Sequence, residues 1–150
     1  KKYFDHPLCD LGQINRGTNH DKWFKKKISI NEQLKYKFIL CIEGYDVATN
    51  LKWVMSSNSI AIMPKPKLES WLMEGKLKPN FHYILIKDDF SDLEERIKYY
   101  IKNESEAIKI RINANKYIEQ FQNKKREDLI SLLILEKYFH YSSQMNSNFV

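Results

Sequence analysis

One hundred and fifty residues make about one domain, long enough to bury a core, and 43% hydrophobic residues place the chain among globular proteins. No apolar run approaches the ~18 residues of a membrane span, which excludes a helical membrane protein on this stretch. Twenty-five Lys and Arg against 19 Asp and Glu give a net charge of +6, in short groups such as Lys25-Lys26-Lys27 and Lys124-Lys125-Arg126. That balance suits an anionic ligand or an anionic membrane surface, and suits plain solubility equally well.

The opening, KKYFDHPLCDLG, has neither an initiator Met nor a signal-peptide pattern, so the expectation is a piece of a longer protein. Residues 1–28 read as irregular, with Tyr3, Phe4, Trp23 and Phe24 among polar residues. Ser29 and Glu32 have capping-box spacing for a short helix. YKFILCIEG, residues 36–44, reads as a buried strand ending at Gly44. Asp46 is the expected N-cap of a helix over residues 47–57, with Val47, Leu51, Val54 and Met55 on one apolar face. SIAIM, residues 59–63, is a second strand stopped by Pro64 and Pro66. LESWLMEG predicts a helical turn or two closed by Gly75, and HYILIK, residues 82–87, a third strand. Ser91 with Glu94 predicts a capped helix whose buried stripe is Leu93, Ile97, Tyr100 and Ile101. ESEAIKIRINANKYIEQF reads as a further helix. REDLISLLILEKYFHY is a last one, apolar enough through Leu129, Leu132, Leu133, Leu135 and Phe139 to need a partner surface. SSQMNSNFV reads as a loose tail.

Strands separated by helical segments predict an open, mainly parallel α/β sheet flanked by helices. Ligands of such sheets lie in the crevice outside the carboxyl ends of the strands. Residues 44–50 are the first such end and residues 64–69 the second. Gly44 permits close approach to the backbone, and a helix starting there offers free N–H groups to an anion. Asp46 places negative charge against that use, so it is assigned to the loop or to a hydroxyl. Glu69 follows the second strand's end and is either a ligand group of that crevice or a solvated helix-start acid. Asn50 and Ser57 share a helix face that either lines the cleft or meets water. Trp53 and Trp71 either stack on a ring or pack in the core. Of the two cysteines, neither with metal spacing, Cys41 lies in an apolar run and reads as a buried free thiol of a reducing compartment, hence a cytoplasmic location. The four histidines are scattered without ligand spacing, and no metal site is expected.

The stretch GYDVATNLKWVMSSNSIAIMPKPKLESWLMEGKLKPNFHYILIKDDFSDLEE resembles the C-terminal half of glycosyltransferase family 90, closest to its bacterial lipopolysaccharide branch. The residues at 50–59, His82-Tyr83 and Ser91-Asp92-Leu93 carry the resemblance most specifically, within a stretch from about Phe4 to Phe121. It implies a GT-B architecture of two Rossmann-like halves with the active site between them. It also implies inverting transfer of a sugar from a UDP-sugar, without a bound metal or other cofactor. The base would be an acidic residue of an N-terminal half absent from this chain. On that reading residues 1–28 are a lead-in from the missing half. Residues 29–123 are the Rossmann-like nucleotide-sugar-binding domain, and residues 124–150 a C-terminal helix and tail. The implied nucleotide-sugar contacts are Gly44, Asp46, Asn50, Ser57, Lys65 and Glu69. Protein O-glucosyltransferases carry an arginine, thought to face the diphosphate, where this chain has Asn50. Asparagine donates a hydrogen bond but neutralises no charge, and Lys52 and Lys65 are the nearby substitutes. The expected partners are the UDP-sugar, a glycolipid acceptor of lipopolysaccharide type, the missing domain and, peripherally, the inner membrane. The competing reading is a non-catalytic module for an anionic partner, nucleic acid or protein. Nucleic acid is disfavoured because the chain has no contiguous basic stripe and no binding motif.

Overall fold

The computed structural model describes residues 2–17, 21–142 and 144. Its centre is a three-stranded, all-parallel sheet of β1 (Phe38–Leu40), β2 (Ile60–Met63) and β3 (Ile84–Leu85), in the order β1-β2-β3. Phe38 is paired with Ile60, and Ile62 with Ile84. Every residue of β2 is buried, as the unbroken run Ile-Ala-Ile-Met requires of a central parallel strand covered on both faces. Pro64 follows directly, and the ladder stops there.

Among the described residues the α-helices are α1 (Ile30–Gln33), α2 (Leu51–Met55), α3 (Leu93–Lys102), α4 (Glu104–Glu119) and α5 (Lys124–Tyr141), of which α2, α3 and α4 pack against the sheet. The capping box forms at α1 with both halves present: Glu32 N–H donates to Ser29 Oγ at 3.3 Å, and Ser29 N–H to Glu32 Oε2 at 2.8 Å. One face of the sheet, with Ile39, Cys41, Ala61 and Met63, packs against α2 and the later turns of α4 through Leu51, Val54, Ala114 and Ile118. The other face, with Ile60, Ile62, Ile84 and Ile86, packs against Leu93, Ile97 and Tyr100 of α3 and the first turns of α4. Asn115 of α4 donates to the carbonyls of Met55 (2.7 Å) and Ser57 (3.0 Å), satisfying the last turn of α2. Cys41 is buried and free, and burial pushes its thiol pKa up, so it is a neutral packing group.

Several expected boundaries shift. β1 ends at Leu40 rather than Gly44, although Cys41 N–H still reaches Ile62 O at 3.1 Å. α2 begins at Leu51, with Asn50 at the cap position; Asp46 instead bonds the next amide, Val47 N–H, at 2.7 Å. Val47 is buried as its apolar character demands, but in the loop before the helix. The residues 68–75 form a turn and the 3-10 segment Glu74–Lys76 around Met73 at φ 55°, not a helix. At α3 the cap position falls to Asp92, whose Oδ1 accepts from Lys87 N–H at 2.9 Å, so the reciprocal Ser91–Glu94 box does not form. Ile101, expected in the buried stripe of α3, is 49% exposed.

The lead-in is irregular apart from the 3-10 segment Asp21–Trp23 and a bridge between Gln13 and Phe24. Tyr3 OH donates to Phe90 O at 2.6 Å, and His6 Nε2 lies 3.3 Å from Glu94 Oε2, which fastens it to the start of α3. The last helix, α5, is started by Asn123, whose side chain accepts from Arg126 N–H at 3.1 Å. It buries no residue, and Leu132 and Ile134 are more than 60% exposed. Of the expected tail, residues 143 and 145–150 lie outside the described residues.

Candidate functional site

Where the three strands end, the chain leaves a crevice. A cavity of about 160 Å³ opens there, walled by Ile42 and Glu43 after β1, by Lys65 and Lys67 after β2, and by Asp88 and Phe90 after β3. It is also lined by Ala48 in the loop before α2, by Leu51 at the first position of α2, and by Glu74. The position follows from the parallel topology, because each strand must leave the sheet at this same end to begin its crossover.

Hydrogen bonds tie the three strand ends together. The Glu43 carboxylate accepts from Lys67 N–H (3.1 Å to each oxygen) and from Leu68 N–H (3.0 Å). It therefore fastens the loop after β2 to the end of β1. Lys67 Nζ donates to Asp88 Oδ2 at 2.6 Å, linking that loop to the end of β3. That bond holds the Lys67 ammonium above the ordinary lysine range. Phe90, at the crevice wall, sits at φ 58°, a conformation that a bulky residue holds only under constraint. Its carbonyl is held by Tyr3.

The loop leading to Glu69 has its own fixtures. Glu74, 2% exposed, accepts from Ser70 N–H at 2.6 Å and from Ser70 Oγ at 2.7 Å. Tyr117 OH donates to the carbonyls of Leu72 (2.7 Å) and Met73 (3.0 Å). Burial, with the Glu74 and Glu69 carboxylates nearby, raises the Tyr117 pKa and keeps it a donor. The Glu69 carboxylate lies over Gly75, where a Cβ would meet Oε1 at 3.2 Å. His82 supports the same region: its Nδ1 accepts from Lys78 N–H at 3.0 Å, and burial followed by the Lys78 charge depresses its pKa.

The six residues singled out in the sequence fall into three groups. Lys65 lines the crevice, and Gly44 stands in the turn directly after Glu43, its N–H bonded to Asp46 O at 3.1 Å. Open space surrounds Gly44, with nothing within 4 Å of where its Cβ would stand. Asp46 is exposed in the same turn, and Glu69 is exposed on the loop after β2. Asn50 is at the mouth of α2, but its Nδ2 donates to Leu40 O at 3.0 Å, so the amide faces β1. Ser57 lies three residues before β2, at the opposite end of the sheet; it donates to Val54 O and accepts from Ser59 N–H. Of the six, Lys65 alone lines the crevice; Gly44 and Asp46 stand in the turn after β1, the Glu69 carboxylate lies against Gly75, and Ser57 is apart. Lys52 stands 5.2 Å from the centroid of the exposed Trp71 ring.

Lys67, Asp88 and Glu74 are groups of this crevice that the sequence reading did not single out. Lys67 repeats the Lys-Pro-Lys spacing of Lys65, the one local hint available. Glu74 has none, because its partners depend on an irregular loop. Electrostatically, the crevice sets Lys65 and Lys67 against Glu43, Glu74 and Asp88; with Lys67 paired to Asp88, Lys65 is the lysine of the lining placed to meet an anion. α2 has only five residues, so its N-terminus contributes little, and the lysines are the main positive groups.

Residues 9–146 match the model of the family described as glycosyl transferase family 90. The chain is 42% identical over 137 residues to O-glucosyltransferase LpsA of Dichelobacter nodosus, an alignment that covers 91% of this chain and 43% of that protein. It is 34% identical over 77 residues to protein O-glucosyltransferase 3 of Homo sapiens, covering 51% of this chain and 15% of that protein. It is 32% identical over 108 residues to the uncharacterized protein 179R of Invertebrate iridescent virus 6, covering 68% of this chain and 9% of that protein. The chain therefore spans less than half the length of the curated relatives it matches.

Proposed function

The chain belongs to glycosyl transferase family 90, and on that premise we propose that it is the donor-binding half of a UDP-sugar-dependent transferase of GT-B architecture. Transfer proceeds with inversion to an acceptor of lipopolysaccharide type, the donor is taken without a metal or other cofactor, and the base comes from outside these 150 residues. Residues 29–123 form the donor-binding unit, entered through the lead-in and followed by the helix from residue 124 onward. The enzyme works in the cytoplasm, at the inner surface of the membrane that holds its glycolipid acceptor.

One observation carries this reading: the crevice at the carboxyl ends of a parallel sheet, with Lys65 and Lys67 on one wall and the loop of Glu69 beside it. A diphosphate laid there meets two ammonium groups, and a ribose on the Glu69 side presents two neighbouring hydroxyls that one carboxylate can accept. With Asn50 bonded to β1, diphosphate charge is balanced by Lys65 and Lys67. The resemblance to enzymes named O-glucosyltransferases favours glucose as the transferred sugar.

Calorimetric titration of UDP, UDP-glucose and a single-stranded oligonucleotide tests the reading. Saturable UDP binding that is weakened about tenfold by Lys65→Ala, one lost contact of roughly 1.4 kcal/mol, is the expected result. The 150-residue chain should bind UDP weakly and turn over no donor. Oligonucleotide binding without UDP binding overturns the proposal in favour of a module for an anionic partner, and sugar transfer by this chain alone overturns the placement of the base.

A further inference from the structure

Three carboxylates line the crevice at the strand ends, and two of them are committed to the loops. Glu43 accepts from the backbone N–H groups of Lys67 and Leu68, and Glu74 accepts from the N–H and Oγ of Ser70. Asp88 differs. Its Oδ2 accepts from Lys67 Nζ at 2.6 Å, so its partner is an ammonium on a flexible stem. Side-chain exposures of 67% for Lys67 and 62% for Asp88 leave both members of this pair in water. The two lysines of the lining are therefore unequal. Lys65 is exposed and enters no ion pair among the described residues, whereas Lys67 already has an anionic partner.

The root and the tip of the Lys67 side chain are held very differently. The root is fixed: its N–H is shared by both Glu43 oxygens at 3.1 Å, and Pro66 before it has a locked φ. The tip can turn, because an exposed ion pair gains little over hydration and is broken at low cost. Rotation about the stem alone carries the ammonium from Asp88 into the cavity that both residues line, and the loop need not move.

We propose that Asp88 holds the place of a ligand phosphoryl group on Lys67, and that a nucleoside diphosphate takes the lysine over on binding, so that the Lys67–Asp88 pair sets a preference for two phosphoryl groups over one. The inference rests on the donor-phosphate reading of the crevice. A single phosphoryl group meets Lys65 and leaves the pair intact. A second one, linked to the first through an oxygen, is held beside Lys67 at high effective concentration and competes with Asp88 as an intramolecular partner does. Its charge lies inside the crevice, where attraction to an ammonium is less screened than at the exposed mouth. Asp88, once released, is hydrated in the water it already faces. In the empty protein the same pair keeps two ammonium groups of one loop from standing unneutralised beside each other.

Calorimetric titration of UDP and UMP into the full-length protein, through a double-mutant cycle of Lys67→Ala and Asp88→Asn, reads the exchange. Wild type is expected to prefer UDP to UMP by about tenfold, and Lys67→Ala to lose most of that preference. Asp88→Asn removes the competitor and should tighten UDP about two- to fivefold, in line with the modest coupling of exposed ion pairs, with UMP unchanged. That gain should vanish when residue 67 is already alanine. A gain that survives without Lys67, or that UMP shares, is a general field effect and overturns the inference. An Asp88→Asn variant that binds UDP no better than wild type also overturns it, since Lys67 then stays where it is. Wild type that binds neither nucleotide overturns the donor reading of the crevice, and this inference with it. Asp88 is exposed, so melting curves of Asp88→Asn should overlay those of wild type and keep folding out of the comparison.

Discussion

Glu43 is the residue whose removal most directly separates the scaffold of the crevice from its contents. Its carboxylate holds Lys67 N–H and Leu68 N–H at 3.0–3.1 Å, across 24 and 25 residues of sequence. Hydrogen bonds to a charged group contribute about 1.5–3 kcal/mol each when buried, and these amides can reach water. Glu43→Ala should therefore cost about 1.5–3 kcal/mol in total, a melting temperature lower by about 3–10 °C for a domain of this size. Glu43→Gln can keep one oxygen at the Oε1 position, which serves both amides, and should cost about 0.5–1 kcal/mol by the difference between charged and neutral acceptors. Because the loop carries Lys65 and Lys67, freeing it should also lower UDP affinity about tenfold in the alanine variant, equivalent to ~1.4 kcal/mol. Melting curves and calorimetric titration on wild type, Gln and Ala variants make the test. An alanine variant that melts within about 1 °C of wild type and binds UDP equally would refute the claim that this carboxylate holds the strand ends together.

Glu69→Ala should lower UDP affinity about ten- to hundredfold, the loss of two hydroxyl bonds worth roughly 1.5–3 kcal/mol, with little change in melting; equal affinities remove Glu69 from the site. Tyr83 is fully buried with its hydroxyl unbonded among the described residues, and burial raises its pKa to about 12. The unfolded phenol ionises near pH 10 while the folded one stays neutral, so the unfolded state binds fewer protons and stability falls as pH rises from about 10 to 12. Tyr83→Phe should be neutral or stabilising at pH 7 and should flatten that alkaline loss in pH-dependent melting; a clear destabilisation at pH 7 would mean the hydroxyl has a partner. The uncovered apolar surface of α5 should make the 150-residue chain self-associate in sedimentation, and Leu132→Glu with Leu133→Glu should restore a monomer; a clean wild-type monomer with α5 fully protected from exchange goes against it.

The sequence by itself determined whatever rests on spacing within a few residues. The Ser29–Glu32 box, the all-buried β2 with its proline stop, and the long helices α4 and α5 were legible because their causes are local. The parallel α/β class followed from strands alternating with helical segments, and the crevice followed from that class, which is how Gly44 and Glu69 were singled out, whereas Lys65 entered only through the family resemblance. Tertiary structure decided where polar side chains spend their hydrogen bonds. Asp46 and Asn50 are both good caps by type, yet one bonds Val47 N–H and the other the edge carbonyl of Leu40. Asp92 is claimed by Lys87 N–H, which displaces the Ser91–Glu94 box, and Glu43 and Glu74 are enlisted by loops no local rule brings near. A carboxylate or amide gains most from whichever unsatisfied backbone group the packed chain leaves within reach. That choice is made when the sheet and helices assemble, and it follows from contacts tens of residues apart.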